Sequence, residues 1–157
     1  LGYADAGQHL EQRLLVDHSV PNCRSNVVYK NALQGLAGRP DAHTVWIGDV
    51  LIRAAAENTS TFELNRNLVL TEHARADSVP NLEIETGEIA GAGHASATGR
   101  FDDEQLFYLQ SRGIPEDVAR RLVVRGFFGE ILSKITLPEL RERLEAAIED
   151  ELARTGS

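Results

Sequence analysis

The residues of this chain best suited to metal chemistry are five histidines and a single cysteine, Cys23. Zinc sites on helices use histidines three to five residues apart, and no two of the five have that spacing. Each is therefore interpreted first as a surface or turn histidine, although folding could still assemble a site from distant positions. The five are His9, His18, His43, His73 and His94.

Cys23 is a candidate nucleophile or sulfur acceptor, because Arg24 beside it would favour the thiolate. The alternative, a half-buried cysteine with a packing role, is the favoured interpretation. One cysteine cannot form a disulfide within the chain or a thiolate-rich metal cage. A reducing cytoplasm is the simplest location for such a sequence.

Two short motifs look catalytic and fail on geometry or spacing. Asp17, His18 and Ser19 have the residue types of a hydrolase triad, but neighbouring residues on a strand point to opposite faces. Residues 91–96 resemble a dinucleotide fingerprint, yet Ser96 stands where the third glycine belongs. No P-loop lysine follows, so the chain is not expected to bind ATP itself.

Composition excludes several classes of protein. The 157 residues carry a formal net charge of −8, which argues against nucleic acid as a partner. No stretch approaches the ~20 apolar residues that span a bilayer, and there is no signal-peptide pattern. Hydrophobic residues make up 42%, enough for a packed core. Because the chain begins at Leu1 and lacks methionine, we expect it to be a fragment of a longer protein.

The first 100 residues have a β-type pattern, with short apolar runs separated by turn residues. The runs recur roughly every 16–20 residues, which is typical of the stacked coils of a solenoid, although a sandwich would give a similar pattern. The runs are 14–16, 26–29, 44–47, 50–52, 67–70 and 82–84. The predicted turns are 21–22, 38–40, 48–49, 79–81 and 86–87.

After residue 100 the pattern becomes helical. Asp102 is a candidate N-cap with Gln105 at the reciprocal position, and Gly113 is a candidate stop signal. Thr136 with Glu139 predicts a second capping box. The apolar positions of the second helix are Val118, Leu122, Val123, Phe127, Ile131 and Ile135, and those of the third are Leu140, Leu144, Ala147, Ile148 and Leu152.

Three segments resemble the SufB/SufD family of iron–sulfur cluster assembly proteins. Residues 101–114 (FDDEQLFYLQSRGI) are similar to the signature that the family shares. Residues 65–70 (NRNLVL) and 74–84 (ARADSVPNLEI) are similar to an upstream family stretch, and residues 25–30 to a family strand. The resemblance covers roughly residues 18–135.

The resemblance implies a fold and partners. The expected fold is mainly β with C-terminal helices: residues 1–100 form part of a right-handed parallel β-helix, and residues 101–157 form a small helical domain. That domain would dock the ATPase SufC, and the β-helix would pair with SufB or with a second SufD. The expected docking residues are Phe101, Leu106, Phe107, Tyr108, Leu109, Arg112 and Phe127.

Two positions place the resemblance in the SufD branch of the family. The sulfur-accepting cysteine of SufB falls at or near Asn65, which has no thiol. His94 stands where SufD-type sequences have a histidine implicated in cluster assembly, so His94 is the expected iron ligand. Many of those sequences have a cysteine two residues earlier, where this chain has Ala92. A single imidazole would need ligands from a partner, so only transient iron or cluster binding is expected.

The expected function is that of a non-catalytic scaffold subunit on which a nascent cluster is built between two subunits. One alternative is a structural interaction module in which His94 has no direct role. A β-helix enzyme, such as an acyltransferase or a carbonic-anhydrase-like metalloenzyme, would instead show hexapeptide repeats and clustered histidines. The sequence shows neither pattern.

Overall fold

The computed structural model describes residues 1–155, in which seven strands precede three helices. The predicted helical domain extends to residue 157, and residues 156 and 157 lie outside the described part. The strands are β1 (Gly2–Asp5), β2 (His9–His18), β3 (Arg24–Gln34), β4 (Ala42–Ile52), β5 (Thr59–Val69), β6 (Ala74–Ile84) and β7 (Ile89–Arg100). The helices are α1 (Asp103–Ser111), α2 (Glu116–Leu132) and α3 (Pro138–Thr155).

Successive strands alternate between two parallel sheets, which makes the β region a solenoid of about three coils. One sheet has the order β1-β3-β5-β7 and the other β2-β4-β6. Every pairing is parallel, whereas a sandwich of short meandering strands would be antiparallel. The predicted solenoid is therefore confirmed, and the sandwich alternative is wrong.

The strand register explains the spacing seen in the sequence. His9 lies opposite His43, an offset of 34 residues, and Ala42 lies opposite Ala74, an offset of 32. Each coil contains two strands, so half a coil is about 16 or 17 residues long. The predicted 16–20-residue period is thus the repeat of one strand and its turn.

Two predicted turns are wrong, because both segments lie inside strands. Residues 48–49 belong to β4 and residues 79–81 to β6. A side-chain carbon on Gly48 would collide with the ring of Trp46 and lie 3.0 Å from Glu63 Oε2, so glycine provides space inside the solenoid. Pro80 is tolerated because β6 is an edge strand within residues 1–155.

The helices pack against the outer face of the β1-β3-β5-β7 sheet. Their apolar side chains form one core cluster with Ala32 of β3 and Leu70 just after β5. Lys30 of β3 is buried beneath α2, where its Nζ donates hydrogen bonds to Phe127 O (2.7 Å) and Glu130 Oε2 (2.6 Å). The fold therefore joins helices and solenoid through both apolar and charged contacts.

The ends of the helices follow local signals in two cases out of three. Asp102 caps α1 as predicted, accepting a hydrogen bond from the Glu104 amide (2.9 Å). Gly113 follows α1 with a φ of 85°, as expected for its stop signal. The predicted cap at Thr136 is wrong: α3 begins at Pro138, and its first helical hydrogen bond is accepted by Leu137 O. Proline favours the first position of a helix, which moves the start one residue on.

The apolar stripe predicted for α2 is partly wrong. Val118 and Leu122 are 40% and 43% exposed, whereas the predicted Val123, Phe127 and Ile135 do pack against the core. The buried residues of α2 are instead Ala119, Val124, Phe128 and Leu132. In α3, the predicted Leu144, Ile148 and Leu152 do contact the core, while Leu140 is exposed. Within residues 1–155, none of the helices combines the length and the hydrophobicity of a transmembrane segment.

Candidate functional site

Part of the interior of the solenoid is lined by polar side chains, beside apolar ones such as Leu33, Trp46 and Val50. Asn31, Asn67 and Thr98 stack in register on β3, β5 and β7. Asn67 accepts a hydrogen bond from Asn31 (3.1 Å) and donates to Thr98 Oγ1 (3.1 Å) and Asn65 Oδ1 (2.8 Å). Ser78 of β6 closes the network by donating to Asn65 (2.7 Å). The buried amides of the first and middle coils are thus connected to hydroxyl groups of the last coil.

The last coil, β6 with β7, forms an open end of the solenoid, because within residues 1–155 each strand pairs on one side only. His94 lies on β7 opposite Glu63 of β5, so both side chains belong to the interior face. His94 is exposed and lies at this end rather than in the core. We call the interior-facing residues of the last coil the mouth; they include Ser78, Pro80, His94, Ser96 and Thr98.

Glu63 lies one coil below His94 and is fully buried. Burial raises the pKa of the Glu63 carboxyl; the imidazole of His94 acts in the opposite direction, and Asp49 adds to the rise. Sequence reasoning missed Glu63. The signal was the alternating pattern of residues 59–67, which places one acidic residue among inward-facing threonines and asparagines.

The predicted iron ligand is not part of a ready-made cage. Within the described residues, no three histidine, cysteine, aspartate or glutamate side chains are arranged to hold a metal ion. His94 therefore needs ligands from beyond this set if it is to hold a cluster, as the missing thiol at Ala92 already indicated.

Folding does bring together two histidines that are distant in sequence, on the outer face of the β2-β4-β6 sheet. His9 Nδ1 and His43 Nδ1 are 3.0 Å apart, and His43 Nε2 is 2.8 Å from Asp77 Oδ2. Arg75 also donates to Asp77 (2.6 Å), and the pKa of Asp77 is lowered to about 2 by Arg75 first and His43 second. The ionised carboxylate can only accept, so His43 carries its proton on Nε2.

The structure also shows the surroundings of the triad-like motif at Asp17 and His18, and of Cys23. Asp17 binds Arg53 with two hydrogen bonds (2.8 and 2.7 Å) on the outside of the solenoid. His18 is buried inside, 3.0 Å from Ser25 Oγ, so Asp17 and His18 do not converge. Cys23 is half-buried, and its thiol donates to Val20 O (3.1 Å), in line with the packing interpretation.

The expected docking residues divide into an exposed and a buried group. On α1, Phe107 is 72% and Tyr108 54% exposed, and the guanidinium of Arg112 lies 4.7 Å from the centre of the Tyr108 ring. The other four contribute to the core that joins helices and sheet and are available to a partner only in part or not at all: Phe101, Leu106, Leu109 and Phe127.

Comparison with protein families identifies the β region, α1 and the first part of α2. Residues 1–127 match the family model described as SUF system FeS cluster assembly, SufBD core domain. The chain belongs to the SufBD family. The match covers all seven strands, α1 and most of α2, and it includes Glu63, His94 and the expected docking residues.

Individual members of the SufBD family are similar over much or all of the chain. An iron–sulfur cluster assembly SufBD family protein of Mycobacterium tuberculosis is 76% identical over 100% of this chain and 40% of its own length. One from Mycobacterium leprae is 73% identical over 100% of this chain and 41% of its own length. The iron–sulfur cluster assembly protein SufD of Bacillus subtilis is 35% identical over 71% of this chain and 25% of its own length. The chain thus spans about two fifths of the length of these two mycobacterial relatives.

Within the SufBD family fold, the two positions that favoured the SufD branch are neighbours across the last two coils. Asn65 is fully buried on β5, two residues after Glu63 and on the same face. It lies opposite Ser96, just as Glu63 lies opposite His94. Both positions therefore belong to one region, formed by the mouth and the buried side chains of the coil beneath it.

Proposed function

We propose that this chain is the C-terminal part of a SufD-type scaffold subunit, on which an iron–sulfur cluster is assembled in the cytoplasm without catalysis by the chain itself. The observation that carries the proposal is the position of His94, at the open end of a SufBD-family solenoid. A cluster built between two subunits needs a ligand that a partner can reach, and an exposed imidazole on the last coil provides one.

The open end supports pairing with SufB or with a second copy of the chain. Strand β7 is 12 residues long and rich in glycine and alanine, so another backbone can approach it closely. Unpaired strand edges promote association with other strands. Ile84 and Ile89, 40% and 37% exposed at the turn between β6 and β7, add apolar surface. Pairing at this end would place His94 beside the partner's ligands.

The exposed part of α1 supports docking of the ATPase SufC. Phe107 and Tyr108 are large aromatic side chains left in solvent, beside Arg112, and these residue types are enriched in binding hot spots. The buried members of the expected docking set would act indirectly, by holding α1 against the sheet.

The mechanism follows from these two surfaces. ATP-driven dimerisation of SufC would move α1 and α2, and Lys30 would transmit that movement to the sheet through its bonds to α2. The opened interface would expose His94 to incoming iron, the cargo of the reaction, while sulfur ligands come from SufB. If ATP has no effect on cluster assembly in the complex, this lever mechanism is wrong.

A purely structural interaction module is the alternative. It is favoured by the lack of a three-ligand metal group among residues 1–155. The two functions differ at His94: a His94→Ala variant that assembles with its partners and still matures clusters at the normal rate would support the structural module.

Co-purification with SufC tests the docking surface. The test variant is Phe107→Asp with Tyr108→Asp, because both side chains are exposed and their replacement leaves the core intact. The matched control is Leu15→Asp, which is 64% exposed on β2, away from the helices. We expect the wild type and the control to retain SufC and the test variant to lose it. If a folded wild-type chain, verified by circular dichroism, does not retain SufC, the proposed docking is wrong.

A further inference from the structure

The buried carboxyl group of Glu63 has no role in the structure described so far. Its exposed fraction is 0%, and within residues 1–155 neither of its oxygens has a hydrogen-bond partner. Burying a polar group without a partner is unfavourable, and burying an ionised carboxylate is more so. An apolar residue of similar size would avoid that cost, so the carboxyl group points to a ligand.

The surroundings of Glu63 leave room for its carboxyl group rather than satisfying it. Glycine at position 48 opens the space between Trp46 and Glu63 Oε2. The Nε1 of Trp46 and the Nδ2 of Asn65 are also buried without partners within the described residues. Trp46, Glu63 and Asn65 all belong to the coil next to the mouth, so this layer of the interior contains three buried polar groups that lack partners.

His94 lies one coil beyond Glu63, on the side of the open end. Glu63 and His94 are opposite each other on neighbouring parallel strands, which are about 4.8 Å apart. A metal ion between two such side chains can contact both, since metal–oxygen and metal–nitrogen bonds are about 2.0–2.2 Å long. A carboxylate and an imidazole are also a donor pair that suits a divalent first-row cation.

We propose that Glu63 and His94 together bind a divalent cation of the iron(II) type at the mouth, with Glu63 as the inner ligand and His94 as the outer one. The inference rests on the proposed function, which makes iron the cargo, and adds Glu63 to it. The cation neutralises the buried carboxylate, and water or a partner subunit fills the remaining coordination positions. With only two protein ligands, the ion is held loosely and can be passed on.

The single tryptophan provides a direct readout. Trp46 and Glu63 both border the space at Gly48, so a paramagnetic ion bound to Glu63 quenches the fluorescence of Trp46. Cobalt(II) serves as the probe, because it resembles iron(II) in charge and ligand preference and is stable in air. Equilibrium dialysis of cobalt(II), and of iron(II) under anaerobic conditions, measures the stoichiometry independently.

Four variants separate the site from non-specific binding. Glu63→Gln and His94→Asn each remove one ligand, and we expect each to weaken cobalt(II) binding roughly tenfold or more. Glu83→Gln, at an exposed position on β6, and His73→Asn, at an exposed left-handed position, are the matched controls and should bind like the wild type. Thermal unfolding of Glu63→Gln should show no loss of stability, because no hydrogen bond of Glu63 is removed.

Each other outcome overturns the proposal in a recognisable way. If the wild type neither quenches nor takes up cobalt(II) or iron(II), the site does not exist, whereas SufC docking is tested separately. If only His94→Asn weakens binding, His94 acts without Glu63 and the proposed function stands unchanged. If Glu63→Gln does not fold, an unaltered affinity of His94→Asn would still refute the pair.

Discussion

At the scale of single residues, the side chains that matter are paired across coils rather than along the sequence. His94 lies opposite Glu63 in the strand register, and His43 contacts both His9 and Asp77, at offsets of about 31 to 34 positions. The interior pair is poorly satisfied and points to a ligand. The exterior group contributes to stability, since its hydrogen bonds connect three coils on one face.

The exterior group predicts a dependence of stability on pH. The folded-state pKa of Asp77 is about 2, below its usual 3.8, because of Arg75 and His43. A lowered carboxyl pKa stabilises the fold above pH 3.8, and this stabilisation is lost as the pH falls towards 2. Since the Asp77 side chain is 36% exposed, solvent screening reduces the effect to on the order of 1 kcal/mol.

Urea unfolding between pH 5 and pH 2.5 measures this effect. The free energy of unfolding should fall more steeply for the wild type than for Asp77→Asn, and the two curves should converge at the acidic end. Parallel curves would show that Asp77 has the same pKa in the folded and unfolded chain.

At the scale of elements, α2 is held to β3 by a buried charge. The Lys30 side chain is 2% exposed, and its Nζ lies 4.7 Å from the centre of the Phe127 ring in addition to its two hydrogen bonds. The pKa of Glu130 is lowered, first by its hydrogen bond from Lys30. A buried ammonium group needs these partners, so it fixes where α2 can sit on the sheet.

Substitution of Glu130 and substitution of Lys30 should change the free energy of unfolding by different amounts. Glu130→Gln leaves a buried ammonium without its counter-charge and should lower the free energy of unfolding by about 2 kcal/mol. Lys30→Met removes the charge and keeps the packing, so it should change stability by less than about 1 kcal/mol. Chemical denaturation compares them, with Glu116→Gln, an exposed helix pair with Arg120, as the control. A larger loss for Lys30→Met would mean that the ion pair is net stabilising.

At the scale of the whole molecule, the two surfaces proposed to bind partners lie on different parts of the fold. One is the open last coil with His94, and the other is the exposed face of α1. Two features connect them. The chain passes from β7 directly into α1, with the Phe101 amide bonded to the last residue of β5. In addition, Phe101 and Leu106 share a core with Ala32 of β3. If docking of a partner moves the helices, as proposed, these contacts would transmit the movement to the sheet that bears His94.

If the chain pairs with a partner through the last coil, large or charged side chains on β7 should weaken that association. Ala95 and Ala97 are exposed on the outer face of this strand. Ala95→Arg with Ala97→Glu should weaken association with SufB, or with a second copy, by about tenfold or more. Analytical ultracentrifugation provides the measurement, and Leu36→Arg, 57% exposed between β3 and β4, is the control. Equal association of both variants would place the interface elsewhere.

The sequence by itself determined the repeating architecture and the ends of α1. Apolar runs at a 16–20-residue period indicate a regular repeat of short strands, although a sandwich would share that pattern. The capping signals at Asp102 and Gly113 act within one turn of helix. The family motifs likewise carried the assignment, because they are contiguous in sequence. Such features depend on neighbouring residues, so they can be seen without the fold.

Only the tertiary structure decided which residues meet. Gly48 and Pro80 are turn residues by local preference, but packing around Trp46 and the edge position of β6 keep them in strands. On α2, apolar residues occur on several faces, and contact with the sheet selected Val124 and Phe128 for burial. Glu63 could be recognised as a partner of His94 only through the strand register, because contacts between coils depend on the exact length of every intervening turn.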